Sequence, residues 1–310
     1  MAGHAIDPRI KLRHIACFLE VVRFKSVVNA AEVLHISQPA VSKTIQELEQ
    51  LLRSALFDRS RRKLSLTPFG EIFHRYAATS VAALRQGIEA ASGEHQATIV
   101  RVGALPTVSA RVLPQAVSAF TASNPGVHAR IVTGPNDYLL TLLRTGDADL
   151  VIGRMADPAV MVGLSFEHLY FERVALIVRP GHPLLQEKAF TLGMIERYQV
   201  LMPTPDSVIR PLVDRLLVGH GINTVRDEVE TVSDAFGRSY VLRSDAIWII
   251  SQGVVADDVQ RGQLAMLPVD TRETLGPVGF TTRADASHSM ATVALMQAVR
   301  EVAHRERETV

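Results

Sequence analysis

The strongest constraint on the fold is a pair of short helical patterns joined by a tight turn near the start of the chain. Ser26 is placed to cap a helix that ends near Leu34, and Ser37 is placed to cap a longer one over residues 38–52. Pro39 lies in the first turn of the second helix, where its missing N–H costs nothing. An earlier helix is marked by apolar residues at helical spacing, namely Leu12, Ile15, Phe18, Leu19 and Val22.

The helix over residues 38–52 has one apolar and one polar face. Its apolar face carries Val41, Ile45, Leu48 and Leu52, and its outward face carries Gln38, Ser42, Lys43, Gln46 and Gln50. A helix with such an outer face can enter the major groove of DNA, because Gln and Lys reach base edges and Ser and Lys reach phosphates. The same pattern is also typical of an ordinary amphipathic helix with a solvated face.

A basic segment follows at the distance expected of a wing. Four of the five residues from Arg59 to Lys63 are basic, and the run lies between two short apolar segments, which predicts a hairpin that presents cations to phosphates. Residues 1–92 hold 13 Lys and Arg against 8 Asp and Glu, whereas the remainder holds 20 against 24. We expect DNA contacts from Ser37, Gln38, Pro39, Ser42, Lys43, Gln46, Arg53, Arg59, Arg61 and Arg62.

Several motifs in the correct order resemble the LysR-type transcription regulators. The stretch from Ala30 to Lys43 resembles the signature of that family, and so do Leu56-Phe57-Asp58-Arg59 and Leu66-Thr67-Pro68-Phe69-Gly70. The resemblance covers essentially the whole chain. Local details such as Lys11-Leu12-Arg13-His14 and the run from Val102 to Val108 resemble the subgroup that controls protocatechuate catabolism.

The resemblance implies an architecture and a set of partners. A winged helix-turn-helix would occupy residues 1–66, a linker and dimerisation helix residues 67–95, and an effector-binding domain of the periplasmic-binding-protein type residues 96–310. The partners implied are double-stranded promoter DNA, a small carboxylate effector such as protocatechuate or a carboxymuconate, further copies of the chain in a homodimer or homotetramer, and RNA polymerase.

The predicted linker helix begins after Thr67 and reaches about Ser92. A near-heptad seam of apolar and small residues runs along it: Phe69, Phe73, Tyr76, Ser80, Ala83, Leu84 and Ile88. Such a seam favours a partner helix from a second copy, although packing against the chain's own core would give a similar pattern. The hinge between the two parts is expected over Ser92–Gln96.

Beyond the linker, strand and helix patterns alternate, which indicates an α/β protein with a parallel sheet. A single helix is expected from about Ser109 to Ser123, and Trp248 is expected in the core of a buried strand. We expect one lobe over about 96–170 and 272–310 and a second over about 171–271. The two crossovers are expected near Leu169–Glu172 and Val269–Glu273.

Ligands of such folds bind where strand ends and helix N-termini converge. Thr107, Asn136 and Arg154 stand at three successive strand ends of the first lobe, and Pro203 and Thr204 face them from the second. Thr107 could instead only cap its helix, and Arg154 could pair with a carboxylate. The LysR family places a hydroxyl residue at the position that matches Asn136, so the contact at Asn136 departs from that pattern.

The chain lacks the sequence features of an enzyme or a membrane protein. It contains no nucleotide-binding, nucleophile-elbow or zinc-protease motif, so neither a cofactor nor a metal is expected. It has no apolar run of membrane-spanning length and no signal peptide, and its single cysteine, Cys17, fits the reducing cytoplasm. An enzyme with its own helix-turn-helix and a structural nucleoid protein are the alternatives to a regulator. The net acidic second part argues against the nucleoid protein.

Overall fold

The computed structural model describes residues 7–58, 64–92, 99–284, 286 and 288–307. The chain divides into two compact units, the first of residues 1–94 with 144–146 and the second of residues 95–143 with 147–310. Within the described ranges, none of the helices combines the length and the apolar character needed to span a bilayer.

The first unit is a winged helix-turn-helix, as the sequence predicts. Its elements are α1 (Leu12–Phe24), α2 (Val27–Leu34), α3 (Gln38–Leu52), β1 (Phe57–Asp58), β2 (Ser65–Leu66) and α4 (Pro68–Ser92). The strands β1 and β2 pair antiparallel as the base of the wing. The predicted basic loop and the predicted hinge beyond Ser92 lie outside the described residues.

Local hydrogen bonds set the boundaries of the helix-turn-helix. The Ser26 hydroxyl accepts the Asn29 N–H at 3.3 Å at the start of α2, and the Ser37 hydroxyl accepts the Ala40 N–H at 3.4 Å at the start of α3. His35 ends α2 in the left-handed conformation, with φ of 52°. These groups satisfy backbone donors and acceptors that the helix ends leave free, and they fix the turn between the two helices.

The helix α4 starts against the core of the first unit and continues with an exposed apolar face. The Thr67 hydroxyl caps it by accepting the Gly70 N–H at 2.9 Å. The Phe73 ring packs on Phe18 with centroids 5.3 Å apart, whereas Tyr76 is 65% exposed and Ile88 is 61% exposed. Part of the predicted seam therefore packs within the chain and part of it does not.

The second unit contains two mixed α/β sheets. In chain order its elements are β3 (Ile99–Ala104), α5 (Pro106–Ser109), α6 (Val112–Ser123), β4 (His128–Thr133), α7 (Asn136–Thr145), β5 (Leu150–Arg154), β6 (Leu164–Glu172), β7 (Val174–Val178), β8 (Val200–Met202), α8 (Arg210–Gly219), β9 (Glu228–Glu230), α9 (Asp234–Val241), β10 (Ile247–Ser251), α10 (Gln252–Gln260), β11 (Ala265–Met266), β12 (Gly276–Arg283) and α11 (Met290–Arg307).

Each sheet belongs to one lobe, and the chain crosses between them twice. The first lobe has the strand order β4-β3-β5-β12-β6, and the second has β11-β7-β10-β8-β9. The chain enters the second lobe at Arg173, between β6 and β7, and returns between β11 and β12. The two crossover segments expected from the sequence adjoin these points.

The predicted parallel arrangement is right for part of each sheet. Strand β3 pairs parallel with β4 and β5, and β8 pairs parallel with β9 and β10. In contrast, β12 runs antiparallel to β5 and β6, and β7 runs antiparallel to β10 and β11. Trp248 on β10 is 1% exposed and lies in the core of the second lobe, as expected.

The single helix expected over Ser109–Ser123 is wrong. Two helices, α5 and α6, occupy this stretch, and Arg111 between them has non-helical angles of φ −126° and ψ −65°. Pro114 explains the break, because a proline inside a continuous helix would clash with the carbonyl of Ala110 four residues earlier. Starting α6 at Val112 places Pro114 in the first turn, where no N–H is needed.

Candidate functional site

The outer face of α3 carries a polar and basic surface. Gln38, Lys43 and Gln46 are exposed, and Ser42 is half-buried. Lys43 reaches Glu47 only at 4.0 Å, and its own side chain is 79% exposed, so its charge is available to a partner. The exposed part of this face therefore presents amide and ammonium groups to its surroundings.

The remaining predicted DNA contacts lie at the ends of α3 and in the wing. Ser37 and Pro39 are exposed at the start of α3, and Arg53 is exposed at its end. The Glu49 carboxylate accepts the backbone N–H of Leu56 at 2.8 Å, which fixes the first wing strand against α3. The other three predicted contacts, Arg59, Arg61 and Arg62, lie outside the described residues.

A cavity of about 360 Å³ opens in the second unit between the two lobes. It lies at the carboxyl ends of β3, β4 and β5 in the first lobe and of β8, β9 and β10 in the second. This placement follows from the parallel pairing within each lobe, because parallel strands end at the same edge of a sheet. The walls include all five effector residues expected from the sequence: Thr107, Asn136, Arg154, Pro203 and Thr204.

Arg154 is the cation among the described residues of the cavity wall, and it also connects the two crossover segments. It is the last residue of β5 and is 5% exposed. Its guanidinium donates to the Thr274 carbonyl at 3.0 Å and to the Glu172 carbonyl at 2.8 Å, and Nε has no partner among the described residues. Burial lowers the pKa of Arg154, while the Glu172 charge opposes that shift.

Glu172, at the end of β6, lies beside Thr107 without lining the cavity itself. Its carboxylate accepts the Gly253 N–H at 2.5 Å in the first turn of α10. Burial raises the pKa of Glu172, against the opposing effect of the Arg154 charge, the Gly253 N–H and the Thr107 hydroxyl. One carboxylate on a crossover strand therefore contacts a helix of each lobe, since Thr107 belongs to α5 and Gly253 to α10.

A substantial part of the second-lobe wall was not predicted from the sequence. The segment Thr231–Asp234, which joins β9 to α9, lines the cavity, and so does Ser251 at the end of β10. The strand before this segment has only three residues, Glu228–Glu230, with charged residues at both ends. A strand so short is not recognisable from an alternation of apolar residues. The sequence therefore did not indicate that this segment follows the end of a strand.

The cavity wall carries charged, polar and apolar groups together, including the carboxylates of Asp206 and Asp234. The described residues hold no group of three or more His, Cys, Asp or Glu side chains arranged to bind a metal ion. The walls combine one buried guanidinium with hydroxyl and amide groups, and with apolar side chains such as Leu105 and Val208. Such a mixture suits a small ligand with a charged end and an apolar body.

An exposed recognition helix in one unit and a ligand cleft in the other define the class of transcription regulators that sense a small molecule with the same chain. Two family models match in the corresponding order. The bacterial regulatory helix-turn-helix of the lysR family matches residues 12–71, and the LysR substrate binding domain matches residues 93–304. The chain belongs to the LysR family of transcriptional regulators.

Relatives agree with this assignment, and solved structures share the fold. The HTH-type transcriptional regulator PcaQ of Agrobacterium fabrum is 52% identical over 300 residues, which are 96% of each chain. YdcI of Escherichia coli, also an HTH-type transcriptional regulator, is 36% identical over 94% of this chain and 96% of its own. A full-length OxyR variant from Pseudomonas aeruginosa shares the fold with a TM-score of 0.61 at 20% identity, over 95% of both chains. Full-length BenM has a TM-score of 0.55 at 23% identity, over 96% of this chain and 98% of that one.

Proposed function

We propose that this regulator responds to a small carboxylate with a flat or cyclic carbon body, of the class of protocatechuate and its carboxymuconate ring-cleavage products. The observation that carries the proposal is the cavity itself. Five residues from distant parts of the sequence line one space of about 360 Å³, within the size range of small-molecule sites. The 52% identity to PcaQ over nearly the whole chain supports the effector class through the subgroup that the sequence resembles.

The first-lobe wall supplies the groups that would receive the carboxylate. Arg154 brings a positive charge, and Thr107 and Asn136 bring a hydroxyl and an amide. A guanidinium in a largely desolvated cavity binds a carboxylate through charge-assisted hydrogen bonds, which are the stronger kind. Leu105 and Pro106 on this side, with Pro203 opposite, offer apolar surface to the carbon body.

Binding in this cavity would change the relative populations of lobe arrangements. Arg154 in the cavity wall donates to both crossover segments, and Glu172 on the first of them contacts α10, so a ligand bound there would favour one arrangement over the other. An effector shifts such an equilibrium only by its difference in affinity for the two arrangements. No covalent chemistry is needed for the response.

The DNA contacts that we propose follow the exposed face of α3. Gln38, Lys43 and Gln46 would read base edges, while Ser42 and Arg53 would bind phosphates. Ser37 and Pro39 would place the N-terminus of α3 near the backbone, and the arginines at 59, 61 and 62 would add phosphate contacts from the wing. The proposed domain limits lie between residues 66 and 67 and between residues 95 and 96. They separate the DNA-binding part, the linker helix and the effector-binding part.

Assembly is proposed to occur through α4. Its apolar side chains at residues 69, 72, 76, 84 and 88 remain exposed in the single chain, and they recur at steps of three, four and eight residues along one face. A second copy of the helix would cover them, and pairs of such dimers would form a tetramer. Each dimer presents two copies of α3, so DNA half-sites should repeat at about one helical turn or multiples of it. Contact with RNA polymerase would follow from binding at a promoter.

Isothermal titration calorimetry on the full chain tests the effector proposal. We expect protocatechuate or 3-carboxy-cis,cis-muconate to bind wild type, and Arg154→Ala to lose roughly 1.5–3 kcal/mol of binding free energy. Arg283→Ala is the matched control, because that buried guanidinium also donates to backbone carbonyls, those of Leu143 and Ala148, but does not line the cavity. Equal losses in both variants would show that the effect is structural, and no binding by wild type would refute the effector class.

A further inference from the structure

A basic groove of about 620 Å³ lies in the first unit, between the start of α1 and the end of α3. The residues described along it include four cations, Arg9, Lys11, Arg13 and Arg53, against the single carboxylate of Glu47. Of these cations, only the one at the end of α3 belongs to the DNA contacts proposed above. The three that precede or begin α1 have no assigned task, and the excess of positive charge predicts an anionic partner.

The segment before α1 is held beside α3 by a buried histidine. The backbone N–H of Lys11 donates to His14 Nδ1 at 3.2 Å, and the N–H of Ile10 donates to the Asp7 carbonyl at 2.9 Å. The His14 ring is 3% exposed, and its Nε2 atom lies 3.6 Å from Oε2 of Glu47 on α3. Because the backbone at residue 11 is fixed in this way, the side chains that start α1 stay next to the C-terminal end of α3.

The four cations of the basic groove differ in how far their charge is matched. The Arg9 guanidinium donates to both oxygens of Asp7, at 3.0 and 2.7 Å, and these bonds lower the pKa of Asp7 to about 2. In contrast, Lys11, Arg13 and Arg53 are exposed, and no ion pair to them is found in the part of the chain that the structure describes. Three unmatched cations along one groove repel each other, so an anion bound between them would be stabilised.

The basic groove continues the face of α3 that we propose to read DNA. Gln50 and Arg53 line the groove, and Gln46 lies one turn before Gln50 on the same face of the helix. With 15 residues, α3 is about 22 Å long, which exceeds the width of roughly 12 Å of the major groove. We therefore expect a helix that enters the major groove with Gln46 to bring its C-terminal end to a bordering phosphate backbone.

We infer that Lys11 and Arg13, together with Arg53, form a clamp for the phosphates of the DNA backbone at the C-terminal end of α3. This inference rests on the proposed entry of α3 into the major groove, and it adds a contact from the segment before α1. Charge complementarity and continuity with the reading face select DNA as the occupant of the basic groove. Because phosphates are the same at every base pair, the clamp contributes affinity and fixes the orientation of α3 without reading sequence.

Fluorescence anisotropy of the full chain with a labelled duplex of mixed sequence, at several salt concentrations, tests the inference. The double variant Lys11→Ala/Arg13→Ala should bind about tenfold more weakly at moderate salt. The slope of the logarithm of affinity against the logarithm of salt concentration should become less steep by about 2, because two phosphate contacts are lost. A duplex that carries the cognate site should lose the same factor, since the clamp does not contact bases.

Two control variants separate the local contact from net charge and from folding. Lys188→Ala/Arg215→Ala removes one lysine and one arginine from exposed positions of the second unit, so it measures the effect of total charge alone and should bind nearly as wild type does. Lys11→Arg/Arg13→Lys keeps both charges in the basic groove and should retain the wild-type salt dependence. If thermal unfolding shows that the alanine pair is destabilised, the single variants Lys11→Gln and Arg13→Gln replace it, and each should reduce the slope by about 1.

The possible outcomes distinguish the inference from the proposed DNA contacts on which it rests. If removing the two charges leaves the affinity and the salt dependence unchanged, or if the control pair in the second unit loses as much, the basic groove does not bind phosphates and the inference is overturned. A loss confined to the cognate duplex would also overturn it, because the groove would then read bases. If wild type fails to bind the mixed-sequence duplex even at low salt, the proposed DNA contacts of α3 fail as well.

Discussion

Glu172, at the end of the strand that leaves the first lobe, accepts a hydrogen bond at 2.5 Å from the backbone N–H of Gly253 in the second lobe. A Cβ at position 253 would lie 2.3 Å from the Glu172 Oε1 atom, so the carboxylate would have to move away. The contact thus depends on a glycine in the first turn of α10. It also places a buried carboxylate next to Thr107 at the cavity wall.

Replacing Gly253 by alanine should weaken both the fold of the second unit and its response to effector. The carboxylate has to move and lose the N–H contact, which we expect to cost about 1–3 kcal/mol of unfolding free energy. Denaturation followed by the fluorescence of Trp248, the one tryptophan of the chain, measures this loss. Gly219→Ala is the control, since a Cβ at that helical position meets nothing within 4 Å. Equal midpoints for the two variants would contradict the role of the contact.

Glu172 should make the stability of the second unit dependent on pH. Burial raises its pKa above the ordinary value of 4.5. A carboxyl group with a raised pKa in the folded state stabilises the fold below its ordinary pKa, and this contribution is lost as the pH rises through the raised value.

The variant Glu172→Gln isolates this contribution. It removes the titrating group and keeps an oxygen that can accept the Gly253 N–H. As the pH rises from about 4.5, wild type should therefore lose more unfolding free energy than the variant. Denaturant unfolding at a series of pH values, again followed by Trp248 fluorescence, measures the difference. If the unfolding free energies of wild type and variant changed with pH in parallel, Glu172 would have the same pKa in the folded and the unfolded chain.

The polar face of α3 should supply most of the sequence specificity. Gln46→Ala should cost about 1–3 kcal/mol at the cognate site and relax the preference for bases there. Gln260→Ala, in the second unit, is the matched control and should bind DNA as wild type does.

In contrast, Arg61→Ala should weaken binding to all sequences alike and reduce the dependence of affinity on salt. Gel shifts at several salt concentrations separate the two effects, and an unchanged cognate affinity for Gln46→Ala would refute the assignment of the face.

The sequence predicted those features whose signal is local. The stripe of Val41, Ile45 and Leu48 repeats every turn of one helix, so α3 could be located to within a residue. Thr107 and Arg154 could be placed in one cleft because each adjoins a strong apolar strand, and parallel strands end at one edge. The helix break at Arg111 was missed although Pro114 indicates it, because a helix begun at Ser109 would place this proline beyond the first turn.

The interactions that organise the cleft come from residues far apart in the sequence. Arg154 donates to the carbonyl of Thr274, which lies 120 positions later, and Glu172 meets Gly253, which lies 81 positions later. No periodicity within a window of one helix or strand carries such pairs. Asp234 was missed for a related reason, because it follows a strand of only three residues.

A charge in the exposed seam of α4 should prevent assembly. Tyr76→Asp places a carboxylate on an apolar surface that we propose to be covered by a second copy, where an unpaired charge is strongly unfavourable. Light scattering coupled to size-exclusion chromatography should show a smaller species than for wild type. Tyr76→Phe keeps the apolar surface and should assemble normally. An unchanged mass for Tyr76→Asp would locate the interface elsewhere.

Two glycines on α4 should respond in opposite ways to the same substitution. A Cβ at Gly70 would lie 2.1 Å from the Leu56 carbonyl oxygen, so the helix approaches the wing strand closely enough to require glycine there. At Gly87 a Cβ meets nothing within 4 Å. We expect Gly87→Ala to stabilise the helix by about 0.5–1 kcal/mol, because alanine loses less conformational entropy than glycine on entering a helix.

Gly70→Ala has the same advantage of a smaller entropy loss on folding, but it forces α4 away from β1. The first unit should therefore unfold at a lower temperature. The displacement would disturb the Thr67 cap, whose hydroxyl accepts the Gly70 N–H and donates to the Ala55 carbonyl at 2.7 Å. Because the wing starts at the same place, the affinity for DNA should fall together with the stability. Scanning calorimetry of the two variants, with DNA binding measured below the unfolding transition, tests this expectation. If both variants raise the transition temperature, the Leu56 carbonyl can yield without cost, and the glycine in this motif has no steric role.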